Sequence, residues 1–388
     1  MSVRRRQWRS PAGEVKAAWV VDYSDQQGRR HLKTFTRKRD ADAHHAIVAM
    51  DVRAGVHTAD SQSSTVAAAG ELWIQGREAA GLERTTLMNY RTCLDRYITP
   101  AIGAVKLSQL TVPRVRGFED SLRKNGSPVM ARKAIGALGG ILDDAQERGL
   151  VTQNVVRSLR GRRHGKEGRI DKRRNGKLKV GVDIPSPDEI RAIITHLEGR
   201  WRPLLLTAIF TGLRSSELRG LRWQDIDPKH GELHVRQRAD QLNKIGPPKS
   251  AAGERTVPLP PLVANVLREW RLACPKGELG LVFPGPRGCV QTRFVISDRG
   301  LVPAQIAAGV VTRDGKAKYP GLHSLRHFYA SWCINRRVDG GLELPLKVVQ
   351  TRLGHASIQM TADTYGHLFP RGDDGAELAA AERAFLAG

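Results

Sequence analysis

Between residues 157 and 179 the chain carries eleven Lys or Arg against two acids, broken by Gly161, Gly165, Gly168 and Gly176. A stretch of this composition buries too little apolar surface to offset the entropy of ordering it. No single hydrophobic core can therefore run through the 388-residue chain. Residues 161–184 read as an interdomain linker, and the sequence on each side has to fold around cores of its own.

On the N-terminal side two regions differ in period. Residues 1–60 contain VKAAWVVDY and RRHLKTFT, alternating strand-like runs separated by the turn-prone SDQQG. The amphipathic KRDADAHHAIVAMDVRAG follows and predicts a helix ending at Gly55. This is a small β-β-α-type domain. Residues 63–160 read as all helix, with helical spacing in VAAAGELWIQGREAAG, ERTTLMNYRTCLDRYITPAIG and ARKAIGALGGILDDAQERGLV. Pro100, Pro113 and Pro128 fall between these candidate helices, as boundaries should.

Past the linker, residues 185–388 form a mixed α/β domain. SPDEI gives a helix start with acids in its first turn. ELHVRQR and ERTVPL alternate as strands, with Gly, Pro and Ser turning the chain between them. The segment 284–320 has no assignable fold, and GAELAAAERAFLAG reads as a short terminal helix. The fold class is thus multidomain α+β.

Charge narrows the partner. Sixty-three Lys and Arg against 39 Asp and Glu leave +24, an electrostatic footprint for a polyanion that RNA-binding, ribosomal and membrane-surface proteins share. Cys93, Cys274, Cys289 and Cys333 form no CxxC pair, so neither a disulfide scaffold nor a zinc site is indicated, and a reducing cytoplasm fits. No apolar run reaches eighteen residues, and the Arg-rich start lacks the apolar core of a signal peptide.

Four short pieces bring chemistry: TGLRSSEL with Arg214, PPKSAAGERTVPLP with Lys249, HSLRH with His323 and Arg326, and LGHASIQMTADTYGH with His355 and Tyr365. A phosphodiester is an anion and its pentacovalent transition state carries more charge, so fixed positive donors must face its oxygens. The guanidinium fork suits that task. A phenol with a free pKa of about 10 needs a cationic neighbourhood or a base to become a nucleophile. The departing 5′ oxygen needs a proton, which a Lys or His beside the scissile bond can supply. His323 and Arg326, three apart on a helix buried through Leu325, Phe328 and Trp332, can converge on one anion. Glu217 is placed to orient the Arg214 guanidinium or to cap the helix that follows. His327 has the spacing of a metal ligand with His323, but Ser, Leu and Arg stand between them, and it reads as a structural hydrogen-bonding histidine. Lys244 competes with Lys249 in the same polar turn, and Tyr329 and Tyr319 flank HSLRH as packing residues.

The ordered series TGLRxxEL, a hairpin Lys, HxLRH, LGH, and a Tyr ten residues after that His resembles the tyrosine recombinase family of phage integrases over residues 186–370. The resemblance implies Arg214, Lys249, His323, Arg326, His355 and Tyr365 as catalytic residues, supported by Glu217. It implies a covalent 3′-phosphotyrosyl intermediate, with no metal and no nucleotide cofactor. It further implies an arm-site-binding domain over 1–60 and a core-site-binding domain over 63–160. Thr85, Tyr90, Arg91 and Lys133 are candidate DNA-backbone contacts there, and Arg162, Arg163, Arg173 and Arg174 are candidates in the linker, which would order on DNA. The implied partners are double-stranded attachment-site DNA, three further copies in a homotetramer, a directionality factor and a host DNA-bending protein, at the nucleoid and away from any membrane. A chromosome-dimer resolvase or type IB topoisomerase shares the chemistry, and a DNA-binding regulator descended from a recombinase shares the fold.

Overall fold

The computed structural model describes residues 2–11, 14–25, 28–53, 63–160, 177–369 and 374–387. These form two compact units, residues 1–169 and 170–388. Arg162, Arg163, Arg173 and Arg174 lie outside the described residues.

The first unit opens with three strands, β1 (Ser2–Arg9), β2 (Val15–Ser24) and β3 (Arg30–Phe35), in an antiparallel sheet of order β1-β2-β3. Helix α1 (Lys38–Arg53) covers it, and Val21, Tyr23, Ala41 and Val48 make the small core. The sequence announces two strands here, and the third is a correction. SVRRRQWR has Arg at four of eight positions and no buried residue, so the apolar alternation that marks a strand is missing. What holds β1 is backbone pairing to β2 from Ser2 opposite Asp22 to Arg9 opposite Val15. Asp22 binds Arg4 at 3.2 Å and also pairs with Arg30, so one carboxylate ties together cations from both outer strands.

The all-helical part contains α2 (Val66–Ala79), α3 (Arg84–Cys93), α4 (Thr99–Ile102), α5 (Val112–Asn125), α6 (Pro128–Glu147) and α7 (Val155–Arg160). Their apolar faces meet at Trp73, Ile74, Leu94, Ile98, Leu138, Ile141 and Leu142. Pro113 and Pro128 sit in the first turns of α5 and α6, where a missing N–H costs nothing. Pro100 does not end a helix. A π-turn over Leu94–Ile98 joins α3 to α4, and the Thr99 amide reaches back five residues to the Leu94 carbonyl, a wider turn that accommodates the ring.

The second unit begins earlier than residue 185. Leu178 packs against two apolar clusters, Ile184 is fully buried, and the Gly181 amide bonds the Ile184 carbonyl at 2.7 Å. Those few apolar side chains at the end of a basic run supply the anchoring that composition averages away. Helix α8 (Pro187–Thr195) then starts on a capping box: Ser186 Oγ accepts from the Glu189 amide, and a Glu189 carboxylate oxygen accepts from the Ser186 amide.

Helix α9 (Trp201–Thr211) is apolar nearly all round and forms the centre of the main core. Gly212 ends it at φ +62°, and a Cβ there would overlap the Tyr329 ring, so both backbone and space require glycine. Helix α10 (Ser215–Gly220) follows at once. Strands β4 (Ile226–Asp227), β5 (Glu232–Val235) and β8 (Arg255–Pro258) form one antiparallel sheet, with Leu233 opposite Val257. Between β5 and β8 is a separate hairpin of β6 (Arg238–Ala239) and β7 (Ile245–Gly246).

After α11 (Pro261–Ala273), the stretch with no assignable fold contains α12 (Arg293–Ile296), a π-turn over Ser297–Leu301 and α13 (Val302–Ala307). It is pinned by Gln305, whose side chain donates to the Tyr319 carbonyl and accepts from the Tyr319 amide. Helix α14 (His323–Ile334) is buried on two sides. Leu325 and Phe328 join the main core, while Tyr329, Ala330, Cys333 and Ile334 join a second cluster with Val349, Leu353 and Tyr365. Helices α15 (Leu346–Leu353), α16 (Ile358–Tyr365) and α17 (Asp374–Leu386) complete the unit.

Candidate active site

Arg214 stands immediately before α10, with its backbone amide bonded to Glu217 Oε2 at 2.9 Å and its Nη1 to Glu217 Oε1 at 2.7 Å. Its Nη2 donates to the Gly354 carbonyl at 2.8 Å, 140 residues along the chain. Both roles open to Glu217 from the sequence, orienting the guanidinium and capping the helix, are filled by the one carboxylate. Gly354 adopts φ +64° at the end of α15, and a Cβ there would lie 2.8 Å from the Ala252 carbonyl oxygen. The turn leading to His355 thus fits directly against the loop that carries Lys249.

Arg326, in the first turn of α14, is 1% exposed. Its Nη1 donates to the Gly212 carbonyl at 2.7 Å and its Nη2 to the Leu353 carbonyl at 2.5 Å. Burial pushes its pKa down to about 9, and the charge of Arg214 pushes the same way, yet it remains a cation at neutral pH. The carbonyls that hold it belong to the two helix ends that place Arg214 and His355, so one side chain fixes both.

A residue absent from the sequence reading supports all of these. Arg255 opens β8 with its side chain inward, and its Nη1 and Nη2 bind the two Glu217 oxygens at 3.1 and 2.9 Å. Its Nε donates to the Arg352 carbonyl at 2.8 Å, and its Nη1 also reaches the Gly253 carbonyl at 2.9 Å. Burial raises the Glu217 pKa, but Arg255, Arg214 and Arg326 outweigh it and hold the carboxyl down at about 2. The signal was present in ERTVPL. Strand β8 alternates buried and exposed from Arg255 on, so a charge stands at an inward position and needs a buried counter-ion.

Two imidazoles and the phenol close the arrangement. His355 is buried, with Nδ1 2.9 Å from Thr361 Oγ1. Its ring is parallel to that of Tyr365, with centroids 6.2 Å apart. Burial first, then Arg326, Arg214 and Arg255, lower its pKa to about 4. His323 is exposed at the start of α14, its pKa lowered by the surrounding protein and by the same two arginines, 326 and 214. Tyr365, at the end of α16, is 1% exposed, and its hydroxyl lies 2.8 Å from His327 Nδ1. Burial raises the phenol to about 12, while Arg326 and Arg214 pull the other way. Ser357 caps α16 by accepting from the Met360 amide.

The charges are unbalanced. Arg214, Arg255 and Arg326 face one carboxylate, Glu217, and the imidazoles of His327 and His355 are neutral at pH 7. The cluster therefore holds an excess of two positive charges in a low-dielectric setting, which an oxyanion would neutralise.

Lys249 lies on the exposed loop between β7 and β8, six residues before Arg255. Tyr329 is fully buried against Gly212, and Tyr319 donates to Glu189 at 2.8 Å, so both are packing residues. Among the candidate DNA contacts, Lys133 is exposed on α6. Arg91 is half-buried and paired with Glu71 at 2.5 Å. Thr85 is a correction. It is buried and its hydroxyl donates to Glu83 at 3.0 Å, because the first turn of α3 satisfies itself locally, so no hydroxyl is presented to a phosphate. The Tyr90 ring packs on Trp73 at 4.5 Å and belongs to the helical core.

Comparison with known proteins covers the stretch that carries this geometry. The phage integrase family model matches residues 186–371, and the model of the phage integrase central domain matches 66–162. The chain belongs to the tyrosine recombinase family. This recombinase is 27% identical over 374 residues to a XerC-like tyrosine recombinase of Caldanaerobacter subterraneus subsp. tengcongensis, covering 89% of this chain and 90% of the relative. It is 26% identical over 310 residues to the integrase of Mycobacterium phage D29, covering 74% and 77% respectively. Among solved structures it shares the fold of the Tn1549 transposon integrase in complex with transposon right end DNA, with TM-score 0.63, 16% identity and coverage of 82% of this chain and 99% of that one. A lambda integrase tetramer bound to a Holliday junction matches with TM-score 0.57 and 16% identity, over 90% of this chain and 95% of that one. This recombinase is an integrase-type DNA strand-transfer enzyme. No helix among its described residues is long and apolar enough to cross a membrane.

Proposed function

We propose that this recombinase cuts and rejoins double-stranded attachment-site DNA through a covalent 3′-phosphotyrosyl bond on Tyr365, in the service of a phage or mobile element. The observation that carries the reading is the convergence of Arg214, Arg326, His355 and Tyr365 from separate segments of the chain, with two positive charges left uncompensated. In this reading Arg214 and Arg326 hold the non-bridging oxygens, where charge develops in the transition state. His323 and His355 donate to the same phosphate, and Lys249, on its adjacent loop, protonates the departing 5′ oxygen. Arg255 and Glu217 keep Arg214 in place. The Tyr365 oxygen is covered here and would be opened to the phosphate when DNA enters.

Residues 1–60 would bind arm sites, 63–160 and the basic linker would bind the core site, and residues from 178 on would act on the phosphate. The working assembly would be a homotetramer on two sites, by analogy with the lambda integrase tetramer bound to a Holliday junction. A directionality factor and a host DNA-bending protein are the partners such an assembly would use. The test is a suicide duplex nicked beside the scissile phosphate, which traps the cleaved state. A detergent-stable adduct on the 3′ side supports the reading, and specific binding with no adduct would leave a DNA-binding regulator.

A further inference from the structure

Among the described residues, the Tyr365 phenol makes one hydrogen bond, and its partner is a residue outside the phosphate-binding set. We infer that His327 is the proton acceptor for the nucleophile, taking the phenolic proton on Nδ1 as the Tyr365 oxygen attacks phosphorus. This rests on Tyr365 being the nucleophile.

The geometry is specific. Helix α14 presents His323, Arg326 and His327 within its first five residues, so one rigid element would carry groups for the phosphate and the group that meets the phenol. His327 Nδ1 is 2.8 Å from the phenol oxygen, within reach for direct transfer. The ring is held edge-on to His323, with centroids 4.6 Å apart and planes at 82°, and edge-on to Tyr365 at 5.8 Å. The phenol is almost wholly shut off from solvent, so water is not at hand to take its proton in this arrangement.

Charge explains when the transfer happens. Burial, then His323 and Arg326, lower the His327 pKa to about 4, while Asp183 acts the other way. With the phenol raised to about 12, the resting pair keeps its proton on oxygen. An incoming phosphodiester places negative charge beside Arg326 and Arg214, cancels part of the field that disfavours imidazolium, and makes His327 a stronger base. As the O–P bond forms, the phenol oxygen loses electron density and becomes more acidic. The proton moves to His327 Nδ1 as the P–O5′ bond breaks, and the 5′ oxygen takes a separate proton from the acid on its own side. On rejoining, imidazolium returns the proton to the departing phenolate, so the sequence closes without a further reactant.

The test measures the single-turnover rate of adduct formation against pH for the full-length protein on suicide duplexes. His327→Asn keeps a hydrogen-bonding group near the Nδ1 position but cannot hold the proton. Its rate at neutral pH should fall by about 10²- to 10⁴-fold and climb with pH as hydroxide replaces the imidazole, with site-DNA affinity and melting temperature unchanged. His327→Ala should regain rate with added imidazole. A duplex with 5′-bridging sulfur, whose thiolate leaves without a proton, should rescue loss of the acid at Lys249 but not His327→Asn. A wild-type rate in His327→Asn, a pH profile parallel to wild type, or rescue by the sulfur duplex would overturn the assignment. If His327→Asn fails to fold, the imidazole response of His327→Ala decides alone. Tyr365→Phe separates the two claims, since an adduct formed by that variant removes the nucleophile itself.

Discussion

Glu217 shows how much one carboxylate does at the centre of a cationic site. It accepts from Arg214 and Arg255 while nearly inaccessible to water, so removing its charge leaves buried guanidiniums without compensation. Glu217→Gln should destabilise the protein by roughly 3–5 kcal/mol, read by denaturant unfolding. The linkage has a definite sign. A carboxyl held at about 2 against an ordinary 4.5 contributes stability that is full above pH 4.5 and is lost as pH falls toward 2. His355, lowered from 6.5 to about 4, adds an earlier step, because the unfolded chain binds that proton first and stability drops between those values. Unfolding free energy measured from pH 7 to 3 should lose part of the upper step in His355→Asn, His327 supplying the remainder, and the lower slope in Glu217→Gln. At the nucleophile, Tyr365→Phe should bind site DNA with near-unchanged affinity and form no adduct, as seen on a denaturing gel. An adduct from that variant would redirect the search to Tyr319 or Tyr329.

Among the elements, the turn between α15 and α16 restricts sequence choice at one glycine. Gly354 sits at φ +64°, its carbonyl holds Arg214, and a Cβ there would approach the Arg255 Nη1 to 2.9 Å. Gly354→Ala should cost about 1–2 kcal/mol for the left-handed backbone alone. The added methyl also pushes Arg255 and the Lys249 loop away from the cleft, so adduct formation should fall further than the melting temperature explains. A variant with reduced stability but an unaltered cleavage rate would show that the loop and the turn are not coupled. The same packing accounts for Arg255 escaping the sequence reading. Its partners Glu217 and Arg352 come from two distant segments that only the folded unit brings together.

For the whole molecule the question is division of labour. Deleting residues 1–60 removes twelve Lys or Arg and seven acids and leaves the candidate site intact. Cleavage of a short core site should survive. Recombination between long attachment sites should fall sharply, because bridging through separate arm sites is lost. Equal recombination by truncated and intact chains on matched DNA would reject the arm-binding role. Because guanidiniums supply the positive charge at the proposed phosphate position, cleavage should also persist in EDTA. Cleavage abolished by the chelator and restored by Mg²⁺ would contradict that.

The sequence by itself determined the helical character of residues 63–160 and the capped start of α8, and it named the six residues of the proposed centre. Each of these rests on local chemistry: a period, a cap, or a short run whose side chains must face one anion. Tertiary structure alone decided the rest. Strand β1 is held by backbone pairing, which leaves no mark in side-chain pattern. The fold of 284–320 depends on Gln305 meeting Tyr319, a contact that no propensity announces. Thr85 reads as a DNA-backbone contact until Glu83 takes its hydroxyl. The contact of Tyr365 with His327 joins residues 38 apart, and no local pattern announces it. Spacing along a chain fixes which groups share an element, whereas distance between elements, and with it the path of a proton, exists only after packing.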